Sequence, residues 1–102
     1  MNDRRRTLRR DIDLLFNRYI DGRPYLCRAI DLSSEGALAQ TFVEPDKALG
    51  SFAVEIRPPG AVQSIWAWAR GLRRSDGHLA MQFVSMHAED RRRLHQYVGV
   101  AA

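Results

Sequence analysis

The stretch DIDLLFNRYIDGRPYLCRAID, residues 11–31, decides the fold. In its first half, Ile12, Leu14 and Phe16 recur at every second position while Asp11, Asp13 and Asn17 break the apolar run, which is the period of a strand buried on one face. Asp21-Gly22 then interrupts the alternation with a dipeptide that favours the two-residue turn of a β-hairpin. The second half alternates again as a returning strand. This stretch therefore predicts an antiparallel β-hairpin.

Further strand patterns, separated by turn residues, follow along the chain. We expect strands over residues 37–43, 52–56, 62–72 and 79–83, and a helix over about 87–99. The helix is indicated by acidic residues at its start and apolar residues at helical spacing. Together with the first hairpin, the pattern predicts an all-β fold, a six-stranded antiparallel β-barrel with a C-terminal α-helix over one opening. The barrel domain is expected over residues 11–102, preceded by a flexible basic arm over residues 1–10.

The bulk composition describes one small domain of 102 residues, 45% of them hydrophobic and 27% charged. No apolar run approaches the roughly 20 residues that a membrane helix needs. No apolar stretch follows the basic N-terminus, so we expect no secretory signal. The single cysteine, Cys27, excludes an internal disulfide and fits a reducing, cytoplasmic compartment.

Positive charge is concentrated at the N-terminus. The net charge is +4, and 15 of the 16 basic residues are arginine, five of them within the first ten residues. A guanidinium group can bind a phosphate, or the O6/N7 edge of guanine, through two parallel hydrogen bonds. Taken alone, such an arm is more often a solvated tail. The cluster nevertheless contains R-x-x-x-R in two registers, Arg5/Arg9 and Arg6/Arg10.

A second anion-binding segment stands about twenty residues later, as Asp31-Leu-Ser33-Ser-Glu-Gly36. A short turn of Asp, Ser and Gly offers oxygen ligands and accessible backbone N–H groups. Taken alone, it has the composition of any β-turn. The arm and the turn flank the first predicted hairpin, and their combination indicates a clamp for a small ligand that carries guanine and phosphate.

The combination resembles the PilZ domain family, whose signature is R-x-x-x-R followed by [D/N]-x-S-x-x-G. The second motif is complete here, and the resemblance extends from about residue 4 to residue 98, including a last hairpin around residues 69–84 and the C-terminal helix. It implies the PilZ-like barrel and binding of the bacterial second messenger cyclic di-GMP. It also implies a non-catalytic receptor that relays the signal to a partner protein or to a fused domain.

The resemblance assigns roles to individual residues. It implies that the arginines of the arm bind the guanine edge and the phosphates, that Asp31 accepts hydrogen bonds from the guanine N1/N2 edge, and that Ser33 contacts phosphate or base. Gly36 would let the backbone pass close to the ligand. On ligand binding the arm would become ordered against the barrel.

The register of the arginine pair follows from the family pattern, in which the second arginine comes just before the first strand. This pattern selects Arg5 and Arg9, with Arg6 and Arg10 as the alternative register. Arg4 forms R-R-x-x-x-R with them, an arrangement that in this family tends to accompany an intercalated dimer of the nucleotide. Whether one or two nucleotides bind stays open.

Other residues offer less support for a site. Trp66 and Trp68 could stack on bases, but we expect them to lie in the barrel core or to cover the helix. The three histidines show no spacing that suits a metal, so we expect neither a metal nor a cofactor. Ser33 has no histidine partner in the pattern, and the chain has no constellation typical of an enzyme.

Two alternative functions remain open. One is a PilZ-like protein–protein adaptor without nucleotide binding, which the intact motifs disfavour. The other is a small basic barrel that binds single-stranded nucleic acid. It is disfavoured because 12 acidic residues are dispersed along the chain and dilute a continuous basic groove.

Overall fold

The computed structural model describes residues 9–45 and 50–100, and for residues 9–12 and 100 it describes the backbone alone. Six strands and one helix follow one another along the chain: β1 (Arg9–Ile20), β2 (Arg23–Ser33), β3 (Gly36–Thr41), β4 (Ser51–Ile56), β5 (Ile65–Ser75), β6 (His78–Met86) and α1 (Ala88–Val100). The strands form a closed antiparallel barrel in the order β1-β2-β3-β6-β5-β4. The predicted fold class is confirmed.

Two hairpin turns have the geometry that their sequences predict. Asp21 and Gly22 have φ of 54° and 78°, and Asp76 and Gly77 have φ of 53° and 76°. Positive φ at both central residues is the type I′ turn, whose twist matches that of the flanking strands. These turns fix the registers of the β1–β2 and β5–β6 hairpins.

The barrel interior is filled by side chains that alternate along every strand. The helix closes one end of the barrel with Leu94 and Val98, which are 0% and 1% exposed. Arg93 fixes the helix to the loop before β5 through hydrogen bonds to the backbone oxygens of Gln63 and Ser64, at 2.7 and 3.2 Å. In the part of the chain described above, no helix is long and apolar enough to span a membrane.

The expectation that Trp66 and Trp68 lie in the barrel core is wrong. Both indoles are on the outer surface, 44% and 49% exposed, while Ala67 and Ala69 face inward. An eight-stranded barrel is just wide enough to be filled by side chains, and a six-stranded barrel is narrower still. At these two inward positions of β5 the interior is filled by alanine, whereas larger side chains such as Phe52 and Phe83 fill it elsewhere. The strand also begins at Ile65 rather than at Val62, which is 89% exposed.

Two other strand boundaries differ from the sequence prediction. Strand β3 ends at Thr41, two residues early, because the Thr41 backbone N–H and hydroxyl both donate to the Gly77 carbonyl oxygen, at 2.8 and 3.1 Å. Strand β1 begins at Arg9, so Arg9 and Arg10 belong to the barrel sheet, whereas the arm was expected to extend to residue 10.

A charged residue, Arg18, occupies an interior position of β1 that alternation would give to an apolar residue. Its side chain is 0% exposed, and its guanidinium lies 5.6 Å from the centre of the Phe52 ring. Glu44 accepts a hydrogen bond from Arg18 Nη2 at 2.8 Å and a longer one from Arg74 at 3.3 Å. The carboxylate therefore neutralises a buried charge and joins β1 to the β5–β6 hairpin.

We expect the free energy of unfolding to fall as the pH drops below about 4.5, the ordinary value for glutamate. Burial alone would raise the pKa of Glu44, but the hydrogen bonds from Arg18 and Arg74 and the charge of Arg18 outweigh it and lower that pKa. A carboxyl with a lowered folded-state pKa stabilises the fold above the unfolded-state pKa. That stabilisation is lost as the pH falls through the folded-state pKa.

Urea denaturation at several pH values measures this effect, with Glu44→Gln as the comparison. The acid slope should be shallower in the variant. The variant should still lose some stability in acid, because hydrogen bonds from Ser64 and Tyr19 lower the pKa of a second carboxyl, that of Glu55. An equal slope in the two proteins would rule out Glu44 as a source of the acid sensitivity.

Candidate functional site

A cleft in the described part of the chain lies on the outer surface beside the β2–β3 turn. Its volume is about 500 Å³, within the range of pockets that bind small molecules. Strands β2, β3, β5 and β6 all contribute to it. Among its lining residues are Asp31, Ser33, Gly36, Leu72, Arg73 and Gln82.

Ser33 holds the turn in shape. Its Oγ accepts hydrogen bonds from the backbone N–H groups of Glu35 and Gly36, at 3.1 and 3.2 Å. It also donates to the Gly36 carbonyl oxygen, with a long distance of 3.4 Å. A hydroxyl accepts two hydrogen bonds and donates one, so only the weakly used proton can be redirected to a ligand. The turn itself already occupies the acceptor capacity of Ser33.

Gly36 is required by a close approach between strands. A Cβ added here would fall far inside van der Waals contact of the Met81 carbonyl oxygen on β6. The obstacle is backbone, which cannot rotate away as a side chain can. Sequence reasoning explained this glycine by the approach of a ligand, whereas the structure gives a reason within the fold.

Asp31 lines the cleft because of a β-bulge. Ala29 pairs with Ala39 and Asp31 pairs with Leu38, so Ile30 is an extra residue on β2. Without the bulge, alternation from the buried Ala29 would direct Asp31 into the core. Because of the bulge, Leu32 takes the next inward position instead and is 1% exposed.

The pairing of β1 with β2 relates the two motifs. The backbone of Arg9 lies opposite Ser33, and that of Arg10 lies opposite the core residue Leu32. The second arginine of the Arg5/Arg9 register is thus the direct ladder partner of the serine in the turn motif. Arg4, Arg5 and Arg6 lie outside the described residues.

Sequence reasoning missed the cleft wall formed by Leu72, Arg73 and Gln82. Leu72 is 53% exposed, and Gln82 accepts a hydrogen bond from Arg70 at 2.9 Å. In the sequence, only Gly71 pointed to an irregularity at this place, because a glycine within a strand often marks a bulge. A second bulge does occur here, between Gly71 and Arg73.

A smaller cleft of about 350 Å³ lies beside Trp66 and Trp68 on the outer face, near the first turn of α1. The ring of Trp66 packs against Tyr19, with 5.6 Å between the ring centres. Among the described residues, no group of three or more His, Cys, Asp or Glu side chains could hold a metal ion.

Comparison with known structures finds two similar PilZ-type folds. One is the inhibitor of motility (MotI/DgrA) of Bacillus subtilis, with a TM-score of 0.78, 19% identity, and coverage of 98% of this chain and 51% of that chain. The other is the PilZ domain of YcgR from Escherichia coli, solved with c-di-GMP, with a TM-score of 0.73, 21% identity, and coverage of 96% and 91%. The chain thus spans about half the length of MotI. At these identities the likeness shows the fold.

No curated protein matches the sequence at a significant level. The family model described as the PilZ domain matches residues 3–99, which is nearly the whole chain and includes both motifs. The family predicted from the sequence is confirmed. The chain belongs to the PilZ domain family.

Proposed function

We propose that this chain binds cyclic di-GMP in the cleft beside the β2–β3 turn, without catalysis, and relays the signal to a partner protein. The observation that carries the proposal is the ladder pairing of Arg9 with Ser33. This pair sets the second arginine of R-x-x-x-R beside the serine of D-x-S-x-x-G in the sheet, and that serine lines a cleft of about 500 Å³. The E. coli YcgR domain, which has the same fold, was solved with this nucleotide.

The chemistry of the cleft suits such a ligand. Guanine presents N–H donors at N1 and N2, which a carboxylate such as Asp31 can accept. The phosphates and the O6/N7 edge are acceptors that suit the guanidinium groups of Arg5 and Arg9. We propose that Arg4 is available to a second nucleotide. The ladder pairing favours this register over Arg6/Arg10.

Ser33 and Gly36 act mainly by shaping the turn. The Ser33 Oγ fixes two backbone N–H groups, and Gly36 allows β3 to lie against β6. In this turn the groups left to contact the ligand are the Ser33 hydroxyl proton, which is held only weakly by Gly36, and the surrounding backbone. We propose that the protein works in the cytoplasm, where the buried Cys27 remains a thiol; burial raises the pKa of that thiol against the opposing effect of Arg18.

Calorimetric titration with cyclic di-GMP tests the proposal. We expect micromolar or tighter binding by the wild type and a loss of about ten- to a hundredfold in affinity for Arg5→Ala, Arg9→Ala and Asp31→Ala. Arg23→Ala is the matched control. Arg23 is an exposed arginine at the opposite end of β2, about 30 Å along the strand from Ser33, and its loss should leave affinity unchanged.

The outcome also separates the alternative functions. If the wild type gives no heat with the nucleotide but binds an oligonucleotide in a salt-dependent way, the nucleic-acid hypothesis replaces this one. If neither ligand binds, the adaptor hypothesis remains. The fitted stoichiometry distinguishes one nucleotide from two.

A further inference from the structure

A β-bulge in β5 controls which side chains face the cleft. Gly71 pairs with Met81 and Arg73 pairs with Ala80, so Leu72 is the extra residue. Regular alternation from the buried Ala69 would direct Arg73 inward. The bulge instead makes Leu72 and Arg73 neighbours on the outer surface, and both line the cleft.

The charges on the two walls of the cleft are complementary. Asp31 and Glu35 place carboxylates on the side of the β2–β3 turn, and Arg73 places a guanidinium on the side of β5. Two carboxylates repel a phosphate, so a ligand carrying both a guanine and a phosphate needs a cation on the other wall. Arg73 stands at that position, beside the apolar surface of Leu72.

The neighbouring arginines of β5 are engaged elsewhere. Arg70 donates to Gln82 at 2.9 Å, and Arg74 donates to Glu44 at 3.3 Å. Within residues 9–45 and 50–100, the side chain of Arg73 forms no hydrogen bond or ion pair and is exposed. Its guanidinium therefore remains available for an anion in the cleft.

We propose that Arg73 is a third arginine of the binding site and contacts a phosphate of the nucleotide from the β5 wall. This inference rests on the proposed function and adds a residue that lies outside both sequence motifs. The bulge sets the backbone position of Arg73 on the barrel. Arg73 meets the ligand from the wall opposite the turn motif.

The test is calorimetric titration with cyclic di-GMP of Arg73→Ala, Arg73→Lys and Arg74→Ala. Arg73→Ala should weaken binding about ten- to a hundredfold, and Arg73→Lys should lie between it and the wild type because lysine keeps the charge but loses the fork. Arg74→Ala removes the same charge one residue further along the strand, and its affinity for cyclic di-GMP should stay within about twofold of the wild-type value. Thermal melting of each variant checks that the fold is retained.

Equal affinities for Arg73→Ala and Arg74→Ala would overturn the role of Arg73. If Arg9→Ala still abolished binding in that case, the proposed function would stand without it. If the wild type bound no cyclic di-GMP, the proposed function would fail and the role of Arg73 with it.

Discussion

Replacing Glu44 by alanine is expected to lower the free energy of unfolding by about 3 kcal/mol. The substitution removes the carboxylate 2.8 Å from a guanidinium whose side chain is 0% exposed. Breaking a buried ion pair by removing one partner typically costs about 3–5 kcal/mol. The lower end applies because Glu44 is 23% exposed, so water can approach the site. Urea denaturation at about pH 7 measures the change.

Two further variants distinguish the cost of leaving the buried Arg18 charge without a partner from the cost of losing the exposed Arg74–Glu44 contact. Arg74→Ala removes the other cation on Glu44, and since Arg74 is 42% exposed, it should cost less than about 1 kcal/mol. Arg18→Met combined with Glu44→Ala should recover most of the stability, because no charge is then left inside the barrel. A cost for Glu44→Ala no larger than that for Arg74→Ala would contradict this account.

Gly36→Ala is expected to lower the free energy of unfolding by about 2 kcal/mol and to weaken cyclic di-GMP binding at least about tenfold. The added methyl group meets the Met81 carbonyl oxygen, so β3 and β6 must separate at the Gly36–Gln82 pair. The adjoining hydrogen bond from the Phe83 N–H to the Glu35 oxygen, at 2.8 Å, would lengthen with them. The turn beside the cleft would then shift. Urea denaturation and calorimetry measure the two effects.

Gly60→Ala is the control for this prediction. An added Cβ at Gly60 meets nothing within 4 Å, but its φ of +81° is unfavourable for alanine. The expected cost is about 1 kcal/mol of backbone strain, with no change in nucleotide affinity. A Gly36→Ala protein with wild-type stability and affinity would contradict the prediction, because β6 would then accommodate the added methyl group at no cost to the fold or the cleft.

Much of the fold could be predicted from local patterns, because alternation and type I′ turns depend on neighbouring residues. The Asp21-Gly22 and Asp76-Gly77 turns are the clearest cases. Periodicity identifies which residues share a face of a strand, but it does not say which face is inside. For β5 that choice depends on the width of the closed barrel, a property of the whole fold. The prediction that Trp66 and Trp68 lie in the barrel core was therefore wrong.

The candidate site was predictable only where its residues form a motif. Asp31 and Ser33 stand in a recognisable spacing, whereas Arg73 reaches the cleft through a bulge that demands no particular side chain. The pairing of Arg18 with Glu44 was equally hidden, because the two residues are 26 positions apart. Contacts of this kind are set by strand order and register, which a single sequence does not display.

The short pairing between β1 and β4 has a mechanical consequence. In the described residues, β1 is joined to β4 only at Asn17, Arg18 and Tyr19, the last of which also donates to Glu55 at 2.8 Å. The same strand begins at Arg9, opposite the turn motif. One strand thus carries part of the proposed nucleotide site near its start and the pairing that closes the barrel near its end. A pull on its first residues is borne by the shortest ladder in the sheet, so the strand proposed to contact the ligand also holds the barrel closed.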